Sequence, residues 1–390
     1  MSNTIPAGLI APVYESLVSV SREFVGFAPA VQKDNGNFAS AALGQTVTAF
    51  TVPQANAVDI VPGVTAPNDG DQILGSINLQ ITRSKSVNIR WNGEEQLALN
   101  NAGPTFPPIL RQQFQQGFRT LVNLVEQDLA VTAYQAASRA SGTAGTAPFG
   151  TAGDLSDFAA QAQILDENGA PALPRAMIVN SGAMANLRGK QSVLFKVNEA
   201  GTDDLLRRGK VGAVEGFDIG YSPGIKAVVK GTGASYTTDT AGYAIGSTSI
   251  ALITGTGTVK VGDVVTFAGD TNKYVVASGV SAPGTIKLQS PGLKVAIAAS
   301  ATAMTIGNSF TPNVSFSQDG LLLATRMPAL PVKLDGTRGD MGAHQMIVDP
   351  FTGIAFDLGV YEQYHQIKFE IGLAWGTAAP NPEHISLLLG

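Results

Sequence analysis

The chain has 390 residues, a net charge of −5 and no cysteine, and only 14% of it is charged against 44% hydrophobic. The acidic balance argues against a dedicated nucleic-acid binder, which carries a basic stripe or patch, and leaves room for loose contact with DNA. Absence of cysteine removes disulfides, thiol nucleophiles and thiolate metal sites. A charged fraction well under the usual ~25% is expected where other subunits cover much of the surface.

The N-terminus MSNTIPAGLIAPVYES has neither a basic n-region nor a continuous apolar core, so no signal peptide is expected. No run approaches the ~18 uninterrupted apolar residues of a membrane span. Residues 1–44 read as an arm. Within it, residues 12–25 fit a short amphipathic helix, with Pro12 in the first turn and Val13, Leu17, Val20 and Phe24 on one side. Residues 28–44 are irregular, small and polar.

Residues 45–52 (QTVTAFTV) read as a strand and 53–72 as a loop rich in Pro, Asn, Gly and Asp. Residues 77–91 read as a second, longer strand. Its odd positions are Ile77, Leu79, Ile81, Arg83, Lys85, Val87, Ile89 and Trp91, an apolar face interrupted by a basic pair. A long two-stranded arm buries little on its own. A chain that embraces its neighbours has a use for one, so the loop is expected to matter for assembly more than for subunit folding. Two readings of Arg83 and Lys85 stay open. They are edge-strand charges that block unwanted pairing, or they form an inter-subunit contact with acids such as Asp59, Asp69 or Glu94 of a neighbour.

Residues 107–139 read as one long helix. Thr105 is a candidate N-cap, and Pro107 and Pro108 suit the first turn. Leu110, Phe114, Phe118, Leu121, Val125 and Leu129 recur at spacings of three and four. Gly142 and Gly145 are expected to end the helix, and Gly117 is a soft point in it. About 30 residues at ~1.5 Å each give a rod of roughly 45 Å.

A small-residue linker, 141–153, leads to an α/β segment. Asp154 caps a helix to Leu165, Asn168-Gly169 marks a turn, 175–180 (RAMIVN) is a buried strand, and Ser181 caps a helix through Leu187. Residues 207–223 are strand-like, with glycines at 209, 212, 216 and 220. From 227 to about 310 the sequence is mostly Gly, Thr, Ser, Ala, Val and Ile in short alternating runs. Strands are expected at 259–268 and 273–277, around Gly269-Asp270-Thr271-Asn272, and at 285–288 and 294–297, around Ser290-Pro291-Gly292. Short strands so spaced predict a small barrel. Further elements at 313–325, 345–348 and 366–375 return to the body, so the barrel reads as an insertion into a parent domain.

No catalytic constellation stands out. His344, His365 and His384 are far apart and lack ligand spacing, so they read as structural. Gly231-Thr232-Gly233 and Gly255-Thr256-Gly257 lack the rest of a phosphate loop and read as turns. Glu94-Glu95 and Asp203-Asp204 are adjacent acids that suit a solvated surface better than a sugar cleft. Asp69-Gly70-Asp71 lacks the ligand series of a calcium loop. Catalytic residues, cofactors and metals are therefore expected to be absent, and the chain is not expected to be an enzyme.

The order of these parts resembles the major capsid proteins of tailed double-stranded DNA phages, with the HK97-type fold. It is most similar to the P22-like coat branch, which carries an extra β-barrel insertion domain. The likeness spans nearly the whole chain. Locally it rests on GDVVTFAG at 262–269 and GLAWGTAAPNPEHISLLLG at 372–390. What the resemblance implies is an α+β HK97-type capsid fold with N-arm, extended loop, long spine helix, peripheral and axial domains and an inserted small β-barrel. The implied division is 1–44 arm, 45–106 extended hairpin loop with flanking strands, 107–153 spine helix and linker, 154–226 axial and peripheral α/β core, 227–311 barrel, and 312–390 return to the core and C-terminal tail. It also implies self-assembly as hexamers and pentamers, with a scaffolding protein, a portal, packaged double-stranded DNA held non-specifically, and in some cases a decoration protein. The implied location is the virion shell, assembled in the host bacterial cytoplasm. Some members of the wider fold cross-link Lys to Asn; no matching local motif is present, so non-covalent contacts are expected. An encapsulin-like nanocompartment shell shares the fold and is the first alternative. A secreted β-rich adhesin or tail-fibre module is the second, and the long central helix and missing signal peptide argue against it.

Overall fold

Period-two and period-3.6 patterns alternate along the sequence, and a computed structural model turns them into two large sheet systems joined by one long helix, with a separate two-stranded hairpin. The structure describes residues 26–34, 40–51, 59–60, 62, 75–101, 106–191, 211–332, 339–340, 342–350 and 352–390. The expected helix at 12–25, nearly all of the loop at 53–72, the Thr105 cap, Asp69 and the Asp203-Asp204 pair lie outside the described residues.

The first third of the chain supplies α1 (Phe27–Ala30), β1 (Gln32–Asp34), β2 (Ser40–Ala41), β3 (Thr46–Thr51), β4 (Gly75–Gln80), β5 (Arg83–Asn92), α2 (Gly93–Asn101) and the long α3 (Phe106–Ala136). Next come β6 (Arg139–Gly142), α4 (Ser156–Glu167), β7 (Arg175–Val179), α5 (Ser181–Lys190), β8 (Ala213–Val214) and β9 (Phe217–Tyr221). Six short strands follow: β10 (Ala234–Thr238), β11 (Ser249–Thr256), β12 (Val264–Phe267), β13 (Lys273–Ser278), β14 (Gly284–Leu288) and β15 (Ala303–Ile306). The chain ends with β16 (Pro312–Ser317), β17 (Leu322–Pro328), β18 (Ala343–Val348), β19 (Ala355–Gln363), β20 (Gln366–Ala378) and β21 (Ile385–Leu389).

The first sheet runs β1-β17-β20-β19-β18, with β5 on the far side of β20 and β2 beside β17. Helix α3 lies across it. Phe114 meets Phe369 edge-on at 5.5 Å, and Phe118 meets Phe356 at 5.1 Å. Gly117 lies at this contact: a Cβ there would stand 2.8 Å from Ile371 Cδ1, so the helix seats closely because the position has no side chain.

The expected single strand 77–91 is two. Among the described residues β4 pairs only with β3, from Thr46↔Gln80 to Thr51↔Gly75, whereas β5 pairs with β20 from Gln366↔Asn92 to Trp375↔Arg83. The break falls at Ile81-Thr82, where the chain crosses β20. A Cβ on Gly376 would lie 2.1 Å from the Gln80 carbonyl oxygen, so the crossing depends on glycine.

The second system runs β13-β6-β21-β16-β7-β9-β8. β7 is buried along its length, as its apolar run requires, and β9 and β16 flank it. α4 and α5 cover this sheet with Phe158, Leu165, Met184 and Leu187. Asn180, not Ser181, caps α5: its side chain accepts from the Ala183 amide at 2.7 Å. α3 ends at Ala136, before the expected Arg139 and well before Gly142. The Ser138 amide donates to the Ile385 carbonyl, and β6 is captured between β13 and β21, so strand pairing terminates the helix instead of glycine.

The six strands β10 to β15 close on themselves in the order β12-β15-β10-β11-β14-β13, with β12 pairing β13. All six ladders are antiparallel. Tyr236, Ile250, Val265, Tyr274, Val276 and Ile286 fill the interior. Entry and exit meet at a bridge between Val228 and Phe310. Two expected strands are shorter. In 259–268 a turn at 261–262 confines the strand to β12. In 294–297 only Ile297 pairs, by an isolated bridge to Tyr243.

Candidate functional site

β5 is an edge strand: among the described residues it pairs with β20 alone. Its odd face carries Val87, Ile89 and Trp91 against α3, and continues into Arg83 and Lys85, both exposed. The guanidinium of Arg83 forms a two-point pair with Asp128 of α3, with Nε 2.8 Å from Oδ2 and Nη2 3.0 Å from Oδ1. The same carboxylate accepts from the Trp375 indole at 2.9 Å. Arg83 therefore ties its own strand to its own helix. Lys85 stands opposite Leu373 in the ladder. Among the described residues no ion pair joins Lys85 to an acid.

The candidate acids are scattered. Asp59 and Ile60 are exposed, Ile60 at 97%. Glu94 is exposed in the first turn of α2. Its neighbour Glu95 completes a reciprocal cap: the Glu95 amide donates to Asn92 Oδ1 at 2.7 Å, and the Asn92 amide to Glu95 Oε2 at 3.2 Å. Within one chain the structure does not bring Arg83 and Lys85 together with Asp59 or Glu94.

Beside Arg83 a cavity of about 590 Å³ opens between the C-terminal half of α3 and the chain entering the barrel. Val131, Val229 and Val261 give it an exposed apolar floor, and Lys226 and Lys260 stand on its rim. Lys226 Nζ donates to Gln127 Oε1 and Lys260 Nζ to the Val229 carbonyl; among the described residues neither ammonium has a carboxylate within ion-pair distance. Asp263, also in the lining, is buried and accepts from the Gly231 and Lys260 amides. Burial pushes its carboxyl up, and those two amides pull it back.

Two buried charge sites lie elsewhere. Glu126 of α3 is fully buried. Its Oε1 accepts from the Ala28 amide at 2.8 Å; Oε2 accepts from the Phe27 and Gly26 amides at 3.1 and 3.3 Å and from the Ser222 hydroxyl at 2.6 Å. Burial pushes this carboxyl up, while the Ser222 hydroxyl and the three amides oppose it. His344 sits between two acids, with Nδ1 2.9 Å from Asp357 and Nε2 2.9 Å from Asp340. Tyr361 donates to Asp340 at 2.7 Å. The bond to Asp357 leads in pushing His344 up to about 9 despite partial burial, so it is an imidazolium at neutral pH. Both rings and both acids close the β18–β19 hairpin; a nucleophile beside them is absent among the described residues. His384 Nδ1 donates to Asp319 Oδ2 at 2.8 Å, a local tie.

Sequence reasoning missed Asp128, Glu126 and the His344 cluster. The available signal for the first two was an acid within a helix that repeats Leu121, Val125 and Leu129 and also carries Val122: Glu126 falls four residues after Val122, on a buried face.

No family model matches the chain, and no curated protein matches it. Among solved structures the chain is similar to one titled Mycobacterium phage Che8, at 13% identity over 94% of this chain and 91% of that chain, with a TM-score of 0.48. It is also similar to the capsid structure of the cyanophage P-SCSP1u, at 10% identity over 92% of this chain and 86% of that chain, with a TM-score of 0.48. A third is a virus-like particle from Pyrococcus furiosus, at 10% identity over 97% of this chain and 99% of that chain, with a TM-score of 0.43.

Proposed function

We propose that the chain is the coat subunit of a tailed double-stranded DNA phage, a structural protein of the HK97-type fold that builds an icosahedral shell with copies of itself in hexamers and pentamers. The observation that carries this reading is the β3–β4 hairpin. It is a two-stranded sheet of its own; Leu79 and Val47 pack its root on Leu322, Ala324 and Ala374, and the pair beyond that root, with no third strand among the described residues, is marginal in water. It springs from the edge strand β5, which lies against a 31-residue helix, and a closed barrel is attached at the C-terminal end of that helix, the end at which the hairpin is rooted. That is the order of parts on which the resemblance to phage coat proteins rests. Scaffold, portal, packaged DNA and a decoration protein are the partners such a shell calls for. Among the described residues no helix is long and apolar enough to cross a membrane.

The contact set Arg83, Lys85, Asp59, Asp69 and Glu94 remains the proposed inter-subunit contact. Arg83 also serves Asp128, so reversing it disturbs the subunit itself; Lys85 isolates the interface. The test is co-expression with a scaffold, followed by electron microscopy of purified particles. Wild type is expected to give closed shells with five- and six-fold rings. Lys85→Glu is expected to shift subunit stability by no more than about 0.5 kcal/mol, yet to assemble only at raised salt. A wild-type chain that stays monomeric beside its scaffold overturns the shell reading. Wild-type salt dependence in Lys85→Glu removes that residue from the contact.

A further inference from the structure

The barrel meets the body along two lines. On the first, the chain entering and leaving it is joined by one bridge, Val228↔Phe310, flanked by irregular chain at 229–233 and 307–309. On the second, β13 lays two rungs on β6, and polar side chains cross beside them. Lys273 donates to the Gly142 carbonyl, Gln289 to the Gln135 carbonyl and Ser290 to Glu383. Arg139 is the centre of this line. Its guanidinium is only 6% exposed. Nη1 donates to Asn272 Oδ1 of the barrel at 3.2 Å, and Nη2 to Glu167 Oε2 of the body at 2.6 Å. The Lys294 ammonium of the barrel stands 3.5 Å from that same carboxylate oxygen. The Arg139 hydrogen bond leads in holding Glu167 below the usual carboxylate range, so it is charged at neutral pH.

Each half of the joint is held in shape by its own side. In the barrel, Asp270 accepts from the amide and the side chain of Asn272 at 2.8 and 2.7 Å and from the Tyr274 hydroxyl at 2.6 Å. That hydroxyl accepts from the Lys294 amide at 3.0 Å. In the body, Gln163 donates to the other oxygen of Glu167 at 2.8 Å. Among the described residues, only Val264 and Val275 of the barrel enter the apolar core shared with α3. The docked arrangement also leaves Arg139 Nε buried with no partner among the described residues, a cost that water relieves when the halves part.

From this arrangement we propose that Arg139 and Glu167 are the body side of a latch. The barrel swings about the Val228–Phe310 bridge, and Asn272 and Lys294 fasten it in the orientation seen. A few irregular residues on either side of one bridge suffice to absorb such a rotation. Parting exchanges protein hydrogen bonds for water at groups that keep their own supports, so it costs less than opening an apolar joint. The proposal goes beyond the shell reading and does not depend on it.

The chain has no cysteine, so dyes attach only where cysteines are placed. Ala159→Cys on α4 and Ile253→Cys on β11, both exposed, report the position of the barrel in the unassembled full-length subunit by single-molecule fluorescence energy transfer. Wild type carrying this pair is expected to give one narrow peak. Adding Asn272→Ala and Lys294→Glu cuts one barrel tie and reverses the other. The fraction of molecules outside the peak is then expected to rise at least about ten-fold, with hydrogen exchange in β11 and β14 within about two-fold of wild type. Glu167→Gln weakens the latch from the body side and is expected to raise that fraction about three-fold. An unchanged peak in either variant shows a barrel held rigidly by its other contacts and overturns the proposal. Faster exchange in β11 and β14 shows that the barrel itself has loosened, and overturns it too.

Discussion

The barrel and the α3 layer are both sheets with an aromatic core, but they close in opposite ways. The barrel closes through ladders that all lie between residues 234 and 306, and only β13 adds a partner from outside, β6. The α3 sheet instead pairs residues 83–92 with 366–375 and residues 32–34 with 322–324, so neither end of the chain completes it alone. Loop closure across some 280 residues costs more entropy than closure of a local hairpin, though the cost grows only slowly with length. On contact separation alone the barrel is expected to form early and locally, and the α3 layer late, when the C-terminal strands arrive.

Trp375→Ala breaks the comparison most strongly. It empties a fully buried site and removes the indole donor to Asp128. The expected loss is about 3–5 kcal/mol, confined to the α3 layer. Hydrogen exchange is expected to show β5 and β20 amides losing protection while β11 to β14 keep theirs. If both regions lose protection together, the molecule is one cooperative unit and the contrast is wrong.

Raising the pH sharpens the comparison next. The folded pKa of His344, about 9, lies above its ordinary value of 6.5. Its contribution is complete below about pH 6.5 and is lost as pH rises through about 9, a span worth at most roughly 3 kcal/mol. Melting of the α3 layer between pH 6 and 10 is expected to show this decline, and His344→Gln to flatten it. An equal decline in His344→Gln assigns the effect to other groups.

Tyr236→Phe is the smallest and most local change. The hydroxyl donates to the Gly257 carbonyl at 2.6 Å inside the barrel. Its removal is expected to cost about 1 kcal/mol, with faster exchange in β10 and β11 and none in β5. Faster exchange in β5 would couple the two regions directly.

The local elements were legible where local forces decide them. The spacing of Leu110 through Leu129 marked α3, and RAMIV marked β7, because burial imposes those periods on the sequence. The errors fall where distant chain wins. Nothing near Ser138 announces that Ile385 will take its amide and turn β6 away from the helix. Nothing near Ile81 shows that the strand must break to cross Gly376. The basic pair at Arg83 and Lys85 stood out as charges on an apolar face. Its split into a residue engaged by Asp128 and one left exposed was not visible, because Asp128 is 45 residues away on another element.

The attachment of the barrel has a mechanical meaning. Its backbone joins the body by the Val228–Phe310 bridge and by two rungs, Lys273↔Ala140 and Tyr274↔Arg139, and side chains add ties such as Gln289 to the Gln135 carbonyl and Ser290 to Glu383. The strand receiving those rungs, β6, continues directly from the end of α3 and lies in parallel register with β21. A sideways load on the barrel is therefore delivered to the C-terminal tip of a stiff rod about 46 Å long. Contacts from Gln113–Trp91 to Asp128–Arg83 then spread that load along the β5–β20 ladder.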